Sequence, residues 1–398
     1  MFGSLLVIVL AGLVGPLIAS GPRPIIPAVV GELLAGIALG RTGFGIIDPN
    51  SSTNLILYAL GFAMLMLVAG SHVQMQGSGL ASGLRSAAVA FVIVVVVAIP
   101  AGLVMAVVLA PSAPPALFPI LLAGSSAAVA FPILQERGLL GPSVGLLLAW
   151  IPMADAVTVL LMPLTLIGAS QIPGALGGDT AIVAITIAAL LAGERIGHVG
   201  WAITLRDRSR TRDWALQLRL ALLILIGLSL VADQTGGSTL LAGFGAGLVL
   251  ARLRTPERLE VQLSGIAEGF FVPAFFVLLG SKLDFRALLQ DPQAIFVAVV
   301  LAAAALAIHV GASLVVAPKP KASFGLAASA QLGLPAAAAS LGLQTGHLSP
   351  ALAAAIVAAG CITVLPASIG TRRLAAALLD QTDPKSTATP TPAPEAAS

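Results

Sequence analysis

The chain holds one cysteine, Cys361, among 398 residues, which excludes an internal disulfide, a CxxC redox pair and a cysteine-rich metal centre. It also lacks any HExxH or Walker sequence, so zinc-peptidase and P-loop chemistries have no residues to run on. Charge is scarce. Only 9% of residues are Asp, Glu, Lys or Arg, against about 25% in a soluble globular domain. Water is therefore not the main solvent of this chain.

What fills the sequence instead is apolar: 58% of residues are hydrophobic. They come in repeated blocks of about 18 to 25, the length a helix needs to cross a hydrocarbon core of roughly 30 Å. Leu, Val, Ala and Gly dominate without polar alternation, which does not suit a transmembrane β-barrel. The first block lacks a basic leader and a cleavage site and is followed by a second spanning block, so it is read as a helix rather than a signal peptide. The spacing predicts thirteen spans, near 3–20, 24–40, 54–73, 86–110, 114–135, 143–168, 180–203, 214–232, 238–252, 266–281, 293–316, 322–343 and 349–369. The expected fold is an all-α integral membrane protein of about thirteen transmembrane helices. From about Thr382 the tail is polar and Pro-rich, a composition that does not pack.

Basic residues are segregated between alternate loops. One side holds Arg23, Arg85, Arg137, the run Arg206, Arg208, Arg210 and Arg212, then Arg252, Arg254, Arg258, Lys319, Lys321, Arg372 and Arg373, whereas the other holds only Arg41, Lys282 and Arg286. Positive residues face the cytoplasm, which puts the amino terminus outside, the carboxyl terminus inside, and the protein in the plasma membrane as a multi-pass chain. Such a place between spans makes the Arg206–Arg212 run a topology signal and not a nucleic-acid patch.

The chain also repeats itself. LLAGIALG (33–40) echoes FGAGLVLA (244–251), FAMLMLVAGSHV (62–73) echoes VPAFFVLLGSKL (272–283), and AGSSAAVAFPILQERGLL with ADAVTVL echoes AASAQLGLPAAAASLGL with AGCITVL. Offsets lie between about 200 and 211 residues and keep their order. Equivalent positions are seven spans apart, an odd number, so the two copies are inverted relative to one another. Inverted repeats of this kind are a transporter architecture, with the substrate near the midplane where helices are interrupted.

The matching segments supply the interruptions. In the fifth span Gly124, Ser125 and Ser126 lead into Pro132, and in the twelfth Gln331 and Gly333 lead into Pro335. Proline removes a backbone donor while Gly and Ser loosen the helix, freeing carbonyls to face a cavity. Asp155 lies at the centre of the sixth span, where an acid costs about 2.5 to 3.5 kcal/mol on insertion scales. Its repeat mate is Gly360, so pseudo-symmetry does not demand a carboxylate there. A dry carboxylate disfavours its bare charge, which sets a proton and a hard monovalent cation in competition for the same oxygens. His309, in ALAIHVGASL, is the histidine well inside a span, and if the twelfth span is broken, Asp155 and His309 could face half-helix ends of opposite sign. Glu32, in VVGELLAGIALG, is either interfacial or packed on a partner helix. Glu194, Glu268, Lys282 and His72 fall near span ends, where reaching for water is the default.

These segments resemble the monovalent cation:proton antiporter superfamily, in particular the bacterial sodium/proton and potassium/proton exchangers of its second branch. PAVVGELLAGIALG is similar to the family's early helix, STLLAGFGAGLVLARLR with IAEGFFVPAFFVLLGSKLDFRALL to its most recognisable later stretch, and SSAAVAFPILQERGLL to its first broken helix. The resemblance spans about Pro24 to Arg373. It implies a sodium/proton antiporter-like fold: two inverted repeats whose broken helices cross in a core domain that moves, elevator fashion, against a scaffold used for homodimerisation. The ion rides on the aspartate that Asp155 matches. Its implied organisation is scaffold at 1–78 and 211–288, core at 79–170 and 291–370, a linking helix at 175–206 and a mostly disordered tail at 371–398. The chain departs from the family at Ala154, where many members have an acid, Asn or Gln, at His309, where many have Lys or Arg, and at Leu334, where many have Glu.

The expected function is exchange of sodium or potassium for protons, electroneutral because one carboxylate titrates. Expected partners are that cation, the proton, the bilayer and a second copy of the chain, with no nucleic acid and no cofactor. Other readings are an organic-anion/cation symporter of related fold, which needs a larger polar cavity, and an ion-responsive membrane protein without transport. An intramembrane enzyme is not expected, since an aspartyl protease needs paired acids and a metalloprotease clustered ligands.

Overall fold

The computed structural model describes residues 2–20, 28–71, 80–127, 130, 134, 139, 142–166, 172–197, 199–212, 214–252 and 257–382. Pro132, His72, Arg23, Arg137, Arg254 and the tail from 383 lie outside them, as does the Glu194 side chain.

The described chain is helical throughout. In order the helices are α1 (Phe2–Gly12), α2 (Val14–Ala19), α3 (Ala28–Leu39), α4 (Ser52–Ser71), α5 (Leu80–Leu109), α6 (Leu117–Ala123), α7 (Gly145–Leu161), α8 (Ile172–Gly197) and α9 (Gly200–Thr211). They continue with α10 (Leu216–Thr235), α11 (Thr239–Arg252), α12 (Glu257–Ile266), α13 (Val272–Lys282), α14 (Phe285–Gln290), α15 (Pro292–Val316), α16 (Lys321–Ala328), α17 (Gly333–Gln344) and α18 (Pro350–Thr382). Among the described residues, 9 helical stretches are long and apolar enough to cross a membrane, and three shorter apolar helices, Ala28–Leu39, Ser52–Val68 and Thr239–Arg252, accompany them. Each falls on one of the expected spans, and α6 falls on the remaining one, 114–135.

Several boundaries differ from the sequence expectation. The first span is two helices meeting at Leu13, because Pro16 has no N–H to give the Gly12 carbonyl. Polar residues after Gly197 form a separate helix, α9, instead of extending the seventh span to 203. α18 runs on to Thr382, so the expected tail at 371–398 begins as helix. The ammonium of half-buried Lys282 lies 3.7 Å from the centroid of the Tyr58 ring. Glu268 is exposed, whereas Glu32 is 4% exposed and sits against Gly15 of α2.

Two seams hold one half of the molecule, and each is the reverse of the other. Where α3 meets α13, a Cβ on Gly36 would run into the Val277 carbonyl, and one on Gly280 into the Leu33 carbonyl. Where α4 meets α11, a Cβ on Gly247 would strike the Leu67 carbonyl, and one on Gly70 the Phe244 carbonyl. Gly36 and Leu33 correspond in the repeat to Gly247 and Phe244, and Gly280 and Val277 to Gly70 and Leu67. The same backbone contact is thus built twice with the partners exchanged, as inverted copies require. The other half obeys the same relation: α5 packs on α7 and α15 on α18, while α5 and α15, repeat mates, pack on one another.

Candidate functional site

Both interruptions are present and they meet. α6 stops at Ala123, Gly124 is extended (φ −68°, ψ 153°), and helix resumes at Ala127. α16 stops at Ala328, Ala330 and Gln331 are non-helical, and α17 begins at Gly333. An α-helix end leaves its first amides and last carbonyls without partners, and here each break satisfies the other. The Ser126 N–H donates to the Ala330 carbonyl at 2.8 Å, the Ser125 hydroxyl donates to the Ala328 carbonyl at 2.7 Å, and the Gln331 amide donates to the Gly124 carbonyl. Ser125, Ser126 and Gln331 are all buried. Four residues expected at the site, Gly124, Ser125, Ser126 and Gln331, are therefore one hydrogen-bonded crossing.

Asp155 joins this crossing from α7. Its Oδ2 accepts from the Ala127 N–H at 2.9 Å, and the residue is 3% exposed. Ala127 opens a helical turn closed by the Ala130 N–H donating to the Ser126 carbonyl at 2.9 Å. A helix amino terminus carries about half a positive charge, which favours a carboxylate there. The aspartate is thus held at the amino end of that turn, in the fifth span.

The repeat mate of that arrangement is neutral. Gly360 occupies the position of Asp155, and any Cβ on it would come 2.7 Å from the Gln331 carbonyl and 3.1 Å from Pro335 Cγ. Close approach of α18 to the break leaves no room for a side chain. Thr363 serves in its place, accepting from the Gln331 N–H at 3.2 Å and donating to the Gly360 carbonyl at 2.7 Å. Thr158, the corresponding residue of the first repeat, donates to the Ala154 carbonyl at 2.7 Å. Neither threonine was expected at the site, although ADAVTVL and AGCITVL align them.

The remaining expected residues fall close by in different ways. Ala154 is fully buried and adds no polar group. Leu334 covers the crossing: a Cβ on Gly124 would meet its Cδ2. Gly333 faces Ser126 Oγ at 3.3 Å and Met66 Cε of α4 at 3.6 Å from an added Cβ, and Pro335 packs toward Gly360. His309 is buried in α15, its Nδ1 donating to the Ala305 carbonyl at 2.8 Å and its ring stacked on Trp150 of α7 at 5.7 Å. Its backbone carbonyl packs against α16, where a Cβ added to Gly325 would come 2.6 Å from it. A small cavity beside the crossing is lined by Leu121, Ala305, Gln331, Pro335, Gly360 and Thr363.

Among the described residues no group of three or more His, Cys, Asp or Glu side chains is placed to hold a metal. The donor set at the crossing is one carboxylate with serine hydroxyls and backbone oxygens. A single carboxylate charge can be balanced by one proton or one monovalent cation.

The model of the family described as "Sodium/hydrogen exchanger, transmembrane" matches residues 5–377. YjbQ of Bacillus subtilis (strain 168) is 24% identical over 309 residues, which are 72% of this chain and 48% of YjbQ. The Na(+)/H(+)-K(+) antiporter GerN of Bacillus cereus is 23% identical over 269 residues, 65% of this chain and 66% of GerN. The chain therefore spans about half the length of YjbQ. Its fold is similar to that of the sodium proton antiporter MjNhaP1 from Methanocaldococcus jannaschii at pH 8, with a TM-score of 0.62 at 18% identity, covering 96% of this chain and 98% of the other.

Proposed function

Because the chain belongs to the transmembrane sodium/hydrogen exchanger family, we propose that it is a secondary active transporter exchanging sodium or potassium for protons, with Asp155 as the carrier of both. The observation behind this reading is the buried Asp155 carboxylate on the Ala127 amide, where two interrupted helices cross. A proton bonded to that carboxylate removes the charge that attracts a cation, and a cation excludes the proton. Occupancy by either leaves the site equally neutral, and a bare carboxylate is costly to carry past apolar surroundings. Mutual exclusion then yields antiport, and equal charge in both loaded states makes the exchange electroneutral, one cation against one proton.

In this reading the halves locked by the glycine seams, 1–78 and 211–288, form a scaffold through which two copies pair. The crossing moves with 79–170 and 291–370, and 175–206 links them. Support comes from the division of the packing: α3 with α13 and α4 with α11 on one hand, α5 to α7 with α15 to α18 on the other. The protein resides in the plasma membrane, amino terminus outside, on the placement of its basic loops. Sodium and potassium are both named because GerN carries both in its name.

Proteoliposomes loaded with a pH-sensitive dye test the reading. Sodium or potassium added outside is expected to dequench the dye with the wild-type protein and not with Asp155→Asn. Exchange at the wild-type rate by that variant would end the assignment of Asp155, and a transport current proportional to turnover would end electroneutrality.

A further inference from the structure

Between α8 and α10 lies a basic hairpin that the exchange reading does not use. Arg206, Arg208, Arg210 and Arg212 stand at every second position, with Asp207 and Asp213 among them, so four positive and two negative residues occupy 206–213. Arg208 and Arg212 are four apart, on one face of the helix end, and both are exposed. The chain then turns back sharply. The Trp214 N–H donates to the Ser209 carbonyl at 3.1 Å, and the Leu216 N–H donates to the buried Ser209 hydroxyl at 3.2 Å. Ala215 is held at φ 49°, in the left-handed region that a residue with a Cβ enters only when its surroundings compel it. This turn brings the Trp214 ring to 5.4 Å from the Arg212 guanidinium while leaving the tryptophan 39% exposed. Among the described residues no carboxylate pairs with either guanidinium.

We propose that this hairpin binds an anionic phospholipid of the adjoining leaflet, with Arg208 and Arg212 on its phosphate and Trp214 seated among the headgroups. Trp214 stands two residues before α10, the span that begins at Leu216, and so at headgroup depth, where tryptophan concentrates. Arginine forks match phosphate oxygens, and a guanidinium stacked on an indole keeps its edge N–H groups free to donate. A topology signal needs only charge, whereas the compelled turn at Ala215 and the stacked Trp214 fix the geometry of one guanidinium. The inference rests on the spans on either side and is independent of the exchange reading.

The test uses the full-length protein in detergent, titrated with phosphatidylglycerol, phosphatidylcholine or glycerol 3-phosphate, reading the unfolding midpoint and the lipid retained in native mass spectra. Wild type is expected to hold phosphatidylglycerol about tenfold more tightly than phosphatidylcholine. In R208Q/R212Q the preference should vanish, and in R208K/R212K, which keeps the charge and hence the topology, at least half of the retained lipid should be lost. K319Q/K321Q, altered at bases elsewhere on the same side, should behave as wild type. Undiminished retention by R208Q/R212Q or by R208K/R212K overturns the proposal, as does an equal midpoint shift with glycerol 3-phosphate, which would mark a site for free anions. If R208Q/R212Q does not fold, R208K/R212K and W214L decide by the same readings.

Discussion

Asp155 and Thr363 each accept a backbone N–H at one of the two breaks, from Ala127 at 2.9 Å and from Gln331 at 3.2 Å. One acceptor is an acid and the other a hydroxyl. The two acceptors are thus unlike in charge, and on the exchange reading a carried ion has the acid as its place to sit.

A consequence for pH follows from that single acid. If proton and cation compete for one carboxylate, as proposed, lowering pH should raise the apparent KM for the cation by about tenfold per unit once protonation dominates. The maximal rate at saturating cation should change far less. Initial exchange rates against cation concentration at several pH values check this, and a KM independent of pH would argue for separate sites.

Thr363 should be needed for its hydroxyl. Thr363→Val keeps the shape and leaves the Gln331 N–H without its acceptor inside the membrane, a loss of about 1 to 3 kcal/mol. Its unfolding midpoint in detergent should fall, exchange should slow, and Thr363→Ser should restore both. Thr158→Val, which removes a donor to a carbonyl of its own helix, should cost less.

At Gly360 the expectation is steric. Gly360→Ala forces a methyl to within 2.7 Å of the Gln331 carbonyl, and overpacking of this kind costs about 1 to 3 kcal/mol. Thermal unfolding of the purified variant should register the loss, and Gly360→Asp, which would restore symmetry of charge, should fold worse still.

Spans, repeats and the positions of both breaks were legible in the sequence because each leaves a local mark: an apolar block, an echoed string, a Gly or Pro in it. The partners across the crossing left no such mark. Nothing in SSAAVAF announces that Ser126 will bond Ala330, 204 residues on, since that pairing depends on how two distant backbones meet. The stacking of the His309 ring on Trp150 is a contact that spacing along one helix does not reveal. Thr158 and Thr363 passed as ordinary helix residues, because a threonine bonding back to its own helix and one bonding to another segment read alike. Gly360 was legible only as a missing acid, and the reason it is glycine needed the Gln331 carbonyl beside it. The break at Leu13 was within reach, given Pro16, and was obscured by an unbroken run of apolar residues.

The reciprocal seams constrain how this sequence can vary. Gly36, Gly70, Gly247 and Gly280 each press on a carbonyl of the facing helix, so a library saturated at these four codons and sorted for folded protein should come back almost entirely glycine. At Gly174, Gly177, Gly227 and Gly311, where an added methyl would touch nothing, the same selection should let many residues through. Half the glycines of such a comparison would be frozen and half free, although composition alone treats them as equals.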